Sequence, residues 1–459
     1  MTSKKQQPSG HAASSDHNGL HDAIPPTEPG ISLYPRRAST LPTHSPEERK
    51  IRRASTASKP AAAAAAADNY DIPASYSNLD ETTEITPVES PDTRLRTLEQ
   101  ARSSCDHEAH SHSYKETRYL VSRLRTQLYT ISYLIFFSLL GTLARLGLQA
   151  LTTYPGTPII YPSIWPNFAG SLVMGFLAED RMLFQRYERI AKDDLETGAT
   201  SEEQAKKAHL SLKKTIPLYI GLATGFCGSF TSFSAFMRDV FLALAGEGYT
   251  RNGGYSFLSF LGVVIVTVSM SLAGLFVGAH LAILVEPVTP SLPYAVTRRV
   301  LDNAVVVLGW GCWLGAVLMS IFPPNDEWRG VATFALAFAP LGCLARFYLS
   351  LKLNGRVASF PLGTFAVNIL GTAVLAMSWD LAHVPLGGVV GCQVLQGIQD
   401  GFCGCLTTVS TWVAELAALR RGHAYVYGGA SVVTGLAVLV AIMGGLRWSD
   451  GWEALMCTH

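Results

Sequence analysis

Two asparagines lie within long apolar stretches of the sequence, where polar side chains are otherwise scarce. Asn167 and Asn368 each begin an Asn-x-x-Gly sequence, and each follows an arginine, Arg145 or Arg346, by 22 residues. An asparagine NH₂ group can donate hydrogen bonds to an anion, and polar groups at membrane depth tend to mark functional sites. The structural alternative is that each asparagine caps or joins neighbouring helices. Because the pattern occurs twice, we favour the functional interpretation.

The two arginines lie near the ends of their predicted helices. Each can attract an anion into a vestibule, or it can extend its charged end to the membrane interface. The sequence alone leaves both alternatives open.

A second pattern is also repeated. Gly225–Ser234 reads GFCGSFTSFS, and Gly401–Ser410 reads GFCGCLTTVS. Closely spaced glycines followed by hydroxyl residues weaken a helix, and the backbone carbonyls that this frees within a membrane need a partner. Two such breaks that cross each other can jointly hold one small cation. Close helix packing through glycine and cysteine is the alternative, and it is compatible with the first interpretation.

The elements that carry these residues are predicted to be membrane helices. From about residue 128 onward, apolar runs long enough to cross a ~30 Å hydrocarbon core recur. They predict nine helices, at about 128–152, 157–178, 214–243, 256–285, 300–322, 331–352, 360–383, 388–418 and 425–447. We therefore predict an all-α polytopic membrane protein with two four-helix repeats, 126–286 and 329–459. The linker 287–328 carries the remaining helix.

Positive charge predicts the orientation of these helices. The loop 179–214 is rich in lysine and arginine, which places it in the cytosol. The N-terminus is then cytosolic and the C-terminus extracellular. Because a single helix joins the repeats, the second repeat is inverted relative to the first, with a pseudo-two-fold axis in the membrane plane.

Composition excludes several other functions. The net charge of +1 gives no indication of nucleic-acid binding. The eight cysteines lack paired metal-ligand spacing, so we interpret them as small buried hydrophobic residues rather than as disulfides or zinc ligands. No catalytic motif is present, so we do not expect an enzyme.

The segment 1–125 is polar, rich in serine, proline and alanine, and predicted to be a disordered cytosolic tail. It contains Arg-Arg-Ala-Ser-Thr twice. Ser39 and Ser55 therefore resemble phosphorylation sites of basophilic kinases, although a chance match in a solvated tail is the alternative.

Together, the motifs G-x-x-x-R, N-x-x-G and G-F-x-G-x-x-T-[TS]-x-S, each present twice, resemble one family. It comprises the small fluoride channels of bacteria and the two-repeat fluoride exporters of fungi and plants. The resemblance covers about residues 128–447. It implies that this chain corresponds to a fused antiparallel dimer, functional as a single-chain pseudo-dimer in the lipid bilayer.

The resemblance also implies roles for individual residues. Asn167 and Asn368 match the pore asparagine that donates to fluoride. The helix breaks match a structural sodium site formed by backbone carbonyls, here those of Gly228, Thr231, Gly404 and Thr407.

Phe233 and Phe236 match two aromatic positions whose positive ring edges face the anion. The second repeat departs from that pattern, because Val409 and Trp412 stand at these positions. If each pore takes one position from each repeat, one pore pairs Phe233 with Trp412. We expect that pore to conduct better than the other.

A polar track on the fourth helix of the repeat matches Ser431 and Thr434. In the first repeat Ser269 and Ser271 are the candidates for the equivalent positions.

The expected function is passive, electrogenic export of fluoride through the plasma membrane, which confers fluoride resistance. A coupled secondary transporter of another small solute, built on the same inverted repeat, is the alternative. A membrane enzyme or scaffold that recruits partners through its tail and its cytosolic loop 179–214 is the third alternative.

Overall fold

The computed structural model describes residues 109–157, 159–184, 213–247, 253–293, 297–325, 328–384, 387–455 and 457. Within these ranges the chain is helical and contains no strand. Ser39, Ser55 and most of the predicted tail lie outside the described residues, as does most of the basic loop. The predictions made for them therefore stay predictions.

The first repeat begins with two uninterrupted helices and continues with a broken one. The third helical segment, α3, contains a π-helical stretch, and two extended residues separate it from α4. The elements are α1 Ala109–Thr152, α2 Ile164–Glu179, α3 (Pro217–Ile220, Gly221–Cys227 and Gly228–Phe230), α4 Phe233–Leu244 and α5 Gly253–Val285.

The second repeat has the same order of elements. A linking helix, α6 Asp302–Ile321, precedes it. The elements are α7 Phe334–Leu353, α8 Leu362–Ala382, α9 (Gly388–Gly397, Ile398–Cys403 and Gly404–Leu406), α10 Ser410–Ala418 and α11 Arg421–Ser449.

The polytopic membrane fold is confirmed. Seven helices in the described part of the chain are long and apolar enough to cross a membrane. The other two predicted spans correspond to α2 and to the broken α9–α10. At 16 residues, α2 is about 24 Å long, which is short of the ~30 Å hydrocarbon core. In the other span, the break separates α9 from α10, which has only nine residues.

Glycines allow α2 and α5 to pack with their backbones in contact. A Cβ atom on Gly274 would lie 2.7 Å from the carbonyl oxygen of Phe168, and one on Gly278 would overlap the carbonyl of Leu172. Such small-residue contacts are the usual means of close helix packing in membranes. The opposite face of α5 is exposed and apolar, as expected for a face turned to lipid.

The first helices of the two repeats meet in the core. Leu134 on α1 packs with Ala339 and Cys343 on α7, and all three are buried. Each of these helices also carries a glycine against the broken helix of its own repeat. A Cβ on Gly141 would lie 2.6 Å from the carbonyl oxygen of Phe226.

The C-terminal segment is tied back onto the helix ends. Cys457 forms a disulfide with Cys392 on α9. Trp452 packs on the rings of Trp379 and His383 at the end of α8, at centroid distances of 5.6 and 5.5 Å. The expectation of no disulfides is wrong for this pair. The two cysteines are 65 residues apart, and only the folding of α11 back along α8 brings them together.

Candidate functional site

Both broken helices end at equivalent threonines. After α3 ends at Phe230, Thr231 adopts an extended conformation with φ −92° and ψ 153°. After α9 ends at Leu406, Thr407 has φ −96° and ψ 155°. Both threonines are buried. The predicted helix breaks are therefore present, and they lie in the core.

The two asparagines form hydrogen bonds to the backbone at these breaks. Oδ1 of Asn167 accepts from the backbone N–H of Ser232 at 2.9 Å, and its Nδ2 donates to the carbonyl of the same residue at 3.4 Å. Asn368 makes the same pair of bonds to Thr408, at 2.9 and 3.2 Å. Each asparagine therefore joins neighbouring helices, which is the structural role that the sequence left open. Each amide has a second N–H, which neither of these bonds uses.

These bonds free the carbonyls named in the sequence prediction. In a continuous helix the N–H of Ser232 would donate to the carbonyl of Gly228, but here it goes to Asn167. The N–H of Ala235 goes to the side chain of Ser232 at 3.2 Å instead of to the carbonyl of Thr231.

The second repeat behaves in the same way. The N–H of Thr408 goes to Asn368, and that of Thr411 goes to the hydroxyl of Thr408 at 3.5 Å. The carbonyls of Gly404 and Thr407 therefore also lose their helical donors. A donor set of four backbone oxygens suits a hard cation.

The two breaks contact each other reciprocally. The hydroxyl of Thr231 lies 3.1 Å from that of Ser410 and accepts from its backbone N–H at 3.1 Å. The hydroxyl of Thr407 lies 3.1 Å from that of Ser234 and accepts from its N–H at 3.0 Å. Each contact is the counterpart of the other with the repeats exchanged. Two copies related by a two-fold axis make contacts of this kind.

The arginines lie at this centre and not at its edge. Arg346 donates through Nε to the carbonyl of Cys405 at 2.8 Å and through Nη2 to that of Thr224 at 2.7 Å. Arg145 donates through Nη2 to the carbonyl of Asp400, the counterpart of Thr224 in the second repeat. Both arginines are only 2% exposed.

This position corrects the expectation of a vestibule or of a charge at the membrane interface. The π-helical turns supply carbonyls that a guanidinium can satisfy, and the arginine of one repeat reaches those of the other. A glycine lies beside each guanidinium, and a Cβ on Gly228 would displace that of Arg346 and one on Gly404 that of Arg145.

The aromatic positions also meet across the repeats. Phe233 makes edge-to-face contacts with Phe236 and Trp412, with ring centroids 5.7 and 5.4 Å apart. It also lies against α11, where a Cβ on Gly435 would be 3.4 Å from its Cε1 atom. The structure thus brings Phe233 and Trp412 together. Val409, which is also buried, provides no ring.

The predicted polar track is only partly buried. Ser431 is fully buried on α11, and its hydroxyl donates to the carbonyl of Tyr427 at 2.7 Å. Thr434 is half-buried. In the first repeat Ser271 is buried and has no hydrogen-bond partner among the described residues, whereas Ser269 is exposed. Of these two candidates, only Ser271 lies inside the protein.

Two buried carboxylates were missed by the sequence analysis. Asp239 accepts from the backbone N–H of Ser163 at 3.3 Å. Glu415 accepts from the hydroxyls of Thr364 at 2.6 Å and Tyr427 at 2.5 Å. In the sequence both lie near the ends of predicted helices, which favours a position at the membrane interface, but in the structure both are buried. The sequence indicates only that the two carboxylates occupy equivalent positions. Asp239 follows Phe233 by six residues, and Glu415 follows Val409, the equivalent of Phe233, by six residues.

Comparison with known proteins places these residues in a wider group. The sequence profile described as CrcB-like protein, Camphor Resistance (CrcB), matches residues 132–279 and 333–445. Its two parts cover the two repeats and leave out the linking helix. No solved structure matches the chain.

Several relatives carry descriptive names. The chain is 57% identical over 454 residues to Fluoride export protein 1 of Neurospora crassa, covering 86% of each chain. It is 35% identical to Fluoride export protein 1 of Candida albicans, over 72% of this chain and 83% of that one. A bacterial protein, Fluoride-specific ion channel FluC of Pseudomonas aeruginosa, matches 27% of this chain with 98% of its own length, at 30% identity.

Proposed function

The chain belongs to the CrcB-like family, and from that membership we propose that it is a fluoride-selective channel. It lets fluoride leave the cytosol passively and electrogenically, and so confers resistance to fluoride. The names of its fungal and bacterial relatives support this proposal. The observation that carries it is the reciprocal pair of helix breaks, each held by a buried asparagine.

The driving force for export is electrical. Fluoride enters as neutral HF and ionises at cytosolic pH, and an inside-negative potential expels the anion at ~2.3 kcal/mol per 100 mV. No coupled proton is required. Selectivity against chloride arises from a narrow path with donors spaced for a small ion.

The better-conducting path runs past Phe233 and Trp412. Their edge-to-face contact brings the two rings together beside α11, which supports a shared aromatic lining of one route. A ring edge is positive and attracts a small anion. Asn368 provides an amide N–H and Ser431 a hydroxyl on neighbouring helices. The hydroxyl of Ser431 has to turn away from Tyr427 before it can donate to the ion.

A structural sodium ion is part of the proposal. Four backbone carbonyls would hold it, those of Gly228, Thr231, Gly404 and Thr407. The N–H groups that would bond to these carbonyls in a continuous helix bond elsewhere, which supports the assignment. Bound there, the ion would supply positive charge at the crossing of the breaks.

Arg145 and Arg346 lie beside the same breaks and weaken the attraction for a further cation. Replacement of sodium by N-methylglucamine should lower the thermal stability of the protein. Equal stability in both salts would mean that the arginines alone supply this positive charge.

We also propose a plasma-membrane location with a cytosolic N-terminus, an extracellular C-terminus and an inverted second repeat. The reciprocal contacts between the repeats support a pseudo-two-fold axis. The disulfide Cys392–Cys457 supports an extracellular C-terminus, because disulfides persist in oxidising compartments.

The test of the function is fluoride efflux from liposomes that contain the purified chain, with a potassium gradient and valinomycin setting the voltage. Chloride is the competing ion. Asn167→Asp and Asn368→Asp are the informative variants, since each retains the oxygen that accepts the backbone N–H but loses the NH₂ donor. Trp412→Ala tests the choice of path.

We expect voltage-driven loss of fluoride without loss of chloride, and a larger effect of Asn368→Asp than of Asn167→Asp. Intact, folded protein without fluoride flux would exclude the channel. Saturable, proton-dependent flux would instead indicate the coupled transporter. A Trp412→Ala variant that conducts like the intact chain would contradict the proposed path.

A further inference from the structure

An apolar groove opens on the outer surface of the helix bundle, between α5 of the first repeat and α10 and α11 of the second. It encloses about 580 Å³, and its walls include Val268, Phe276, Leu416 and Val432. This volume is within the ~300–1,000 Å³ of small-molecule sites. Phe276 is 53% exposed, so the groove is open sideways, toward the membrane.

Two adjacent glycines on α11 create the space. A Cβ on Gly429 would meet nothing within 4 Å, and one on Gly428 would lie 3.2 Å from the side chain of Leu416. Both glycines line the groove. A larger side chain at Gly429 would therefore fill the groove without displacing the backbone.

The groove is about as long as one leaflet is deep. Its lining on α11 runs from Arg421 to Val433, twelve residues later, which is about 18 Å along a helix. Half of a ~30 Å hydrocarbon core is about 15 Å. One end of the groove is thus at the membrane surface and the other is near the bilayer centre.

The surface end carries a positive charge. Arg421 lines the groove and is exposed, and Tyr425 lies one turn further along the same face. Among the described residues no carboxylate forms an ion pair with Arg421. The charge pattern of the sequence predicts that this end faces the cytosol, where membrane lipids carry negative charge.

We propose that the groove is a binding site for one anionic phospholipid of the cytosolic leaflet. Its phosphate lies at Arg421, and one acyl chain lies along Gly428 and Gly429 toward the bilayer centre. Positively charged pockets between membrane helices bind anionic head groups in this manner.

The deep end of the groove reaches the proposed ion path. Trp412 lines the groove, and a Cβ on Gly428 would lie 3.9 Å from its Cζ2 atom. The same indole contacts Phe233. The acyl chain therefore holds Trp412 against Phe233, and fluoride flux depends on the lipid; this second part rests on the proposed function.

The site itself is tested without any measurement of flux. The full chain in mild detergent is given equal amounts of phosphatidylserine and phosphatidylcholine, and bound lipid is counted by native mass spectrometry. We expect one phosphatidylserine retained in preference to phosphatidylcholine. Gly429→Leu should abolish this retention, and Arg421→Gln should weaken it about fivefold, the factor that one basic residue contributes at an anionic surface.

Matched controls are available on the same chain. Gly445 also lies on α11, and a Cβ there would meet nothing within 4 Å, so Gly445→Leu should retain the lipid. Arg356 is exposed and does not line the groove, so Arg356→Gln should do the same. Equal retention by the intact chain and Gly429→Leu, or no preference for phosphatidylserine, would overturn the proposal.

The second experiment measures fluoride efflux from vesicles of phosphatidylcholine and from vesicles that also contain phosphatidylserine. The intact chain should conduct several-fold faster with phosphatidylserine, whereas Gly429→Leu should conduct equally in both. Flux that is equal in both vesicles for the intact chain would refute the link to Trp412. Retained lipid with no flux in any vesicle would refute the proposed function and leave the lipid site standing.

Discussion

Arg346 allows the energetics of the centre to be measured directly. Its guanidinium bridges both repeats, with bonds of 2.8 Å to the carbonyl of Cys405 and 2.7 Å to that of Thr224. Arg346→Met removes both bonds while keeping an unbranched apolar stem. Both carbonyls then lose their guanidinium donor in the buried core of the protein.

The expected loss follows from these two bonds. Hydrogen bonds to charged groups contribute about 1.5–3 kcal/mol each, so the gross loss is about 3–6 kcal/mol. Methionine also removes the cost of keeping a charge away from water, which lowers the net loss of unfolding free energy to about 2–4 kcal/mol. Arg346→Lys keeps the charge but replaces the planar guanidinium by a single ammonium group, so it should lose about half as much unfolding free energy.

The assay is equilibrium unfolding of the purified protein in mixed micelles with increasing sodium dodecyl sulfate, followed by circular dichroism. Arg356→Met, at an exposed arginine, is the matched control and should unfold like the intact chain. If Arg346→Met also unfolded like the intact chain, within about 0.5 kcal/mol, the guanidinium would not be bonded to the break, and our account of the centre would be refuted.

Three further predictions concern other parts of the fold. Cys392 and Cys457 should resist alkylation in the unreduced, denatured protein and become reactive after reduction. Gly278→Leu should prevent stable folding, measured as loss of monodisperse protein in size-exclusion chromatography, because the new side chain would overlap the carbonyl of Leu172. Burial lowers the pKa of His383 below its ordinary value. The neutral ring is then favoured in the folded state, so stability is fully present above about pH 6.5 and is lost as the pH falls below it.

Each of these predictions has an internal control. Cys312 is a free, exposed cysteine and should be alkylated before and after reduction. Gly262 lies on the same helix as Gly278 without a neighbour within 4 Å, so Gly262→Leu should fold normally. His383→Phe should remove the loss of stability at low pH, whereas replacement of the exposed His423 should not. Alkylation of all cysteines without reduction, normal folding of Gly278→Leu or an unchanged pH profile in His383→Phe would contradict the respective prediction.

Sequence patterns predicted the helices and the positions of the breaks because both depend on local composition. The predicted run 331–352 corresponds to α7, Phe334–Leu353. Thr231 and Thr407 follow closely spaced glycines, and glycine weakens a helix locally.

The partners of the polar groups could not be predicted in this way. Nothing in the spacing of Arg145 indicates that it reaches the carbonyl of Asp400, 255 residues later. Asp239 and Glu415 looked like residues of helix ends, because only the folded break shows how far inside the protein α4 and α10 begin. The disulfide was missed for the same reason. Tertiary contacts, and not local pattern, decide which polar groups are paired.

The reciprocal contacts of the two breaks restrict how the two halves of this gene can diverge. Thr231 meets Ser410, and Thr407 meets Ser234, so a substitution in one half is accepted only if the other half already tolerates it. Positions that no hydrogen bond joins across the centre are freer, and the two repeats differ at one of them, where the first has Phe236 and the second Trp412. In chimaeras that join halves from distant relatives, we therefore expect mismatches at the two threonines to prevent folding more often than mismatches at the aromatic positions.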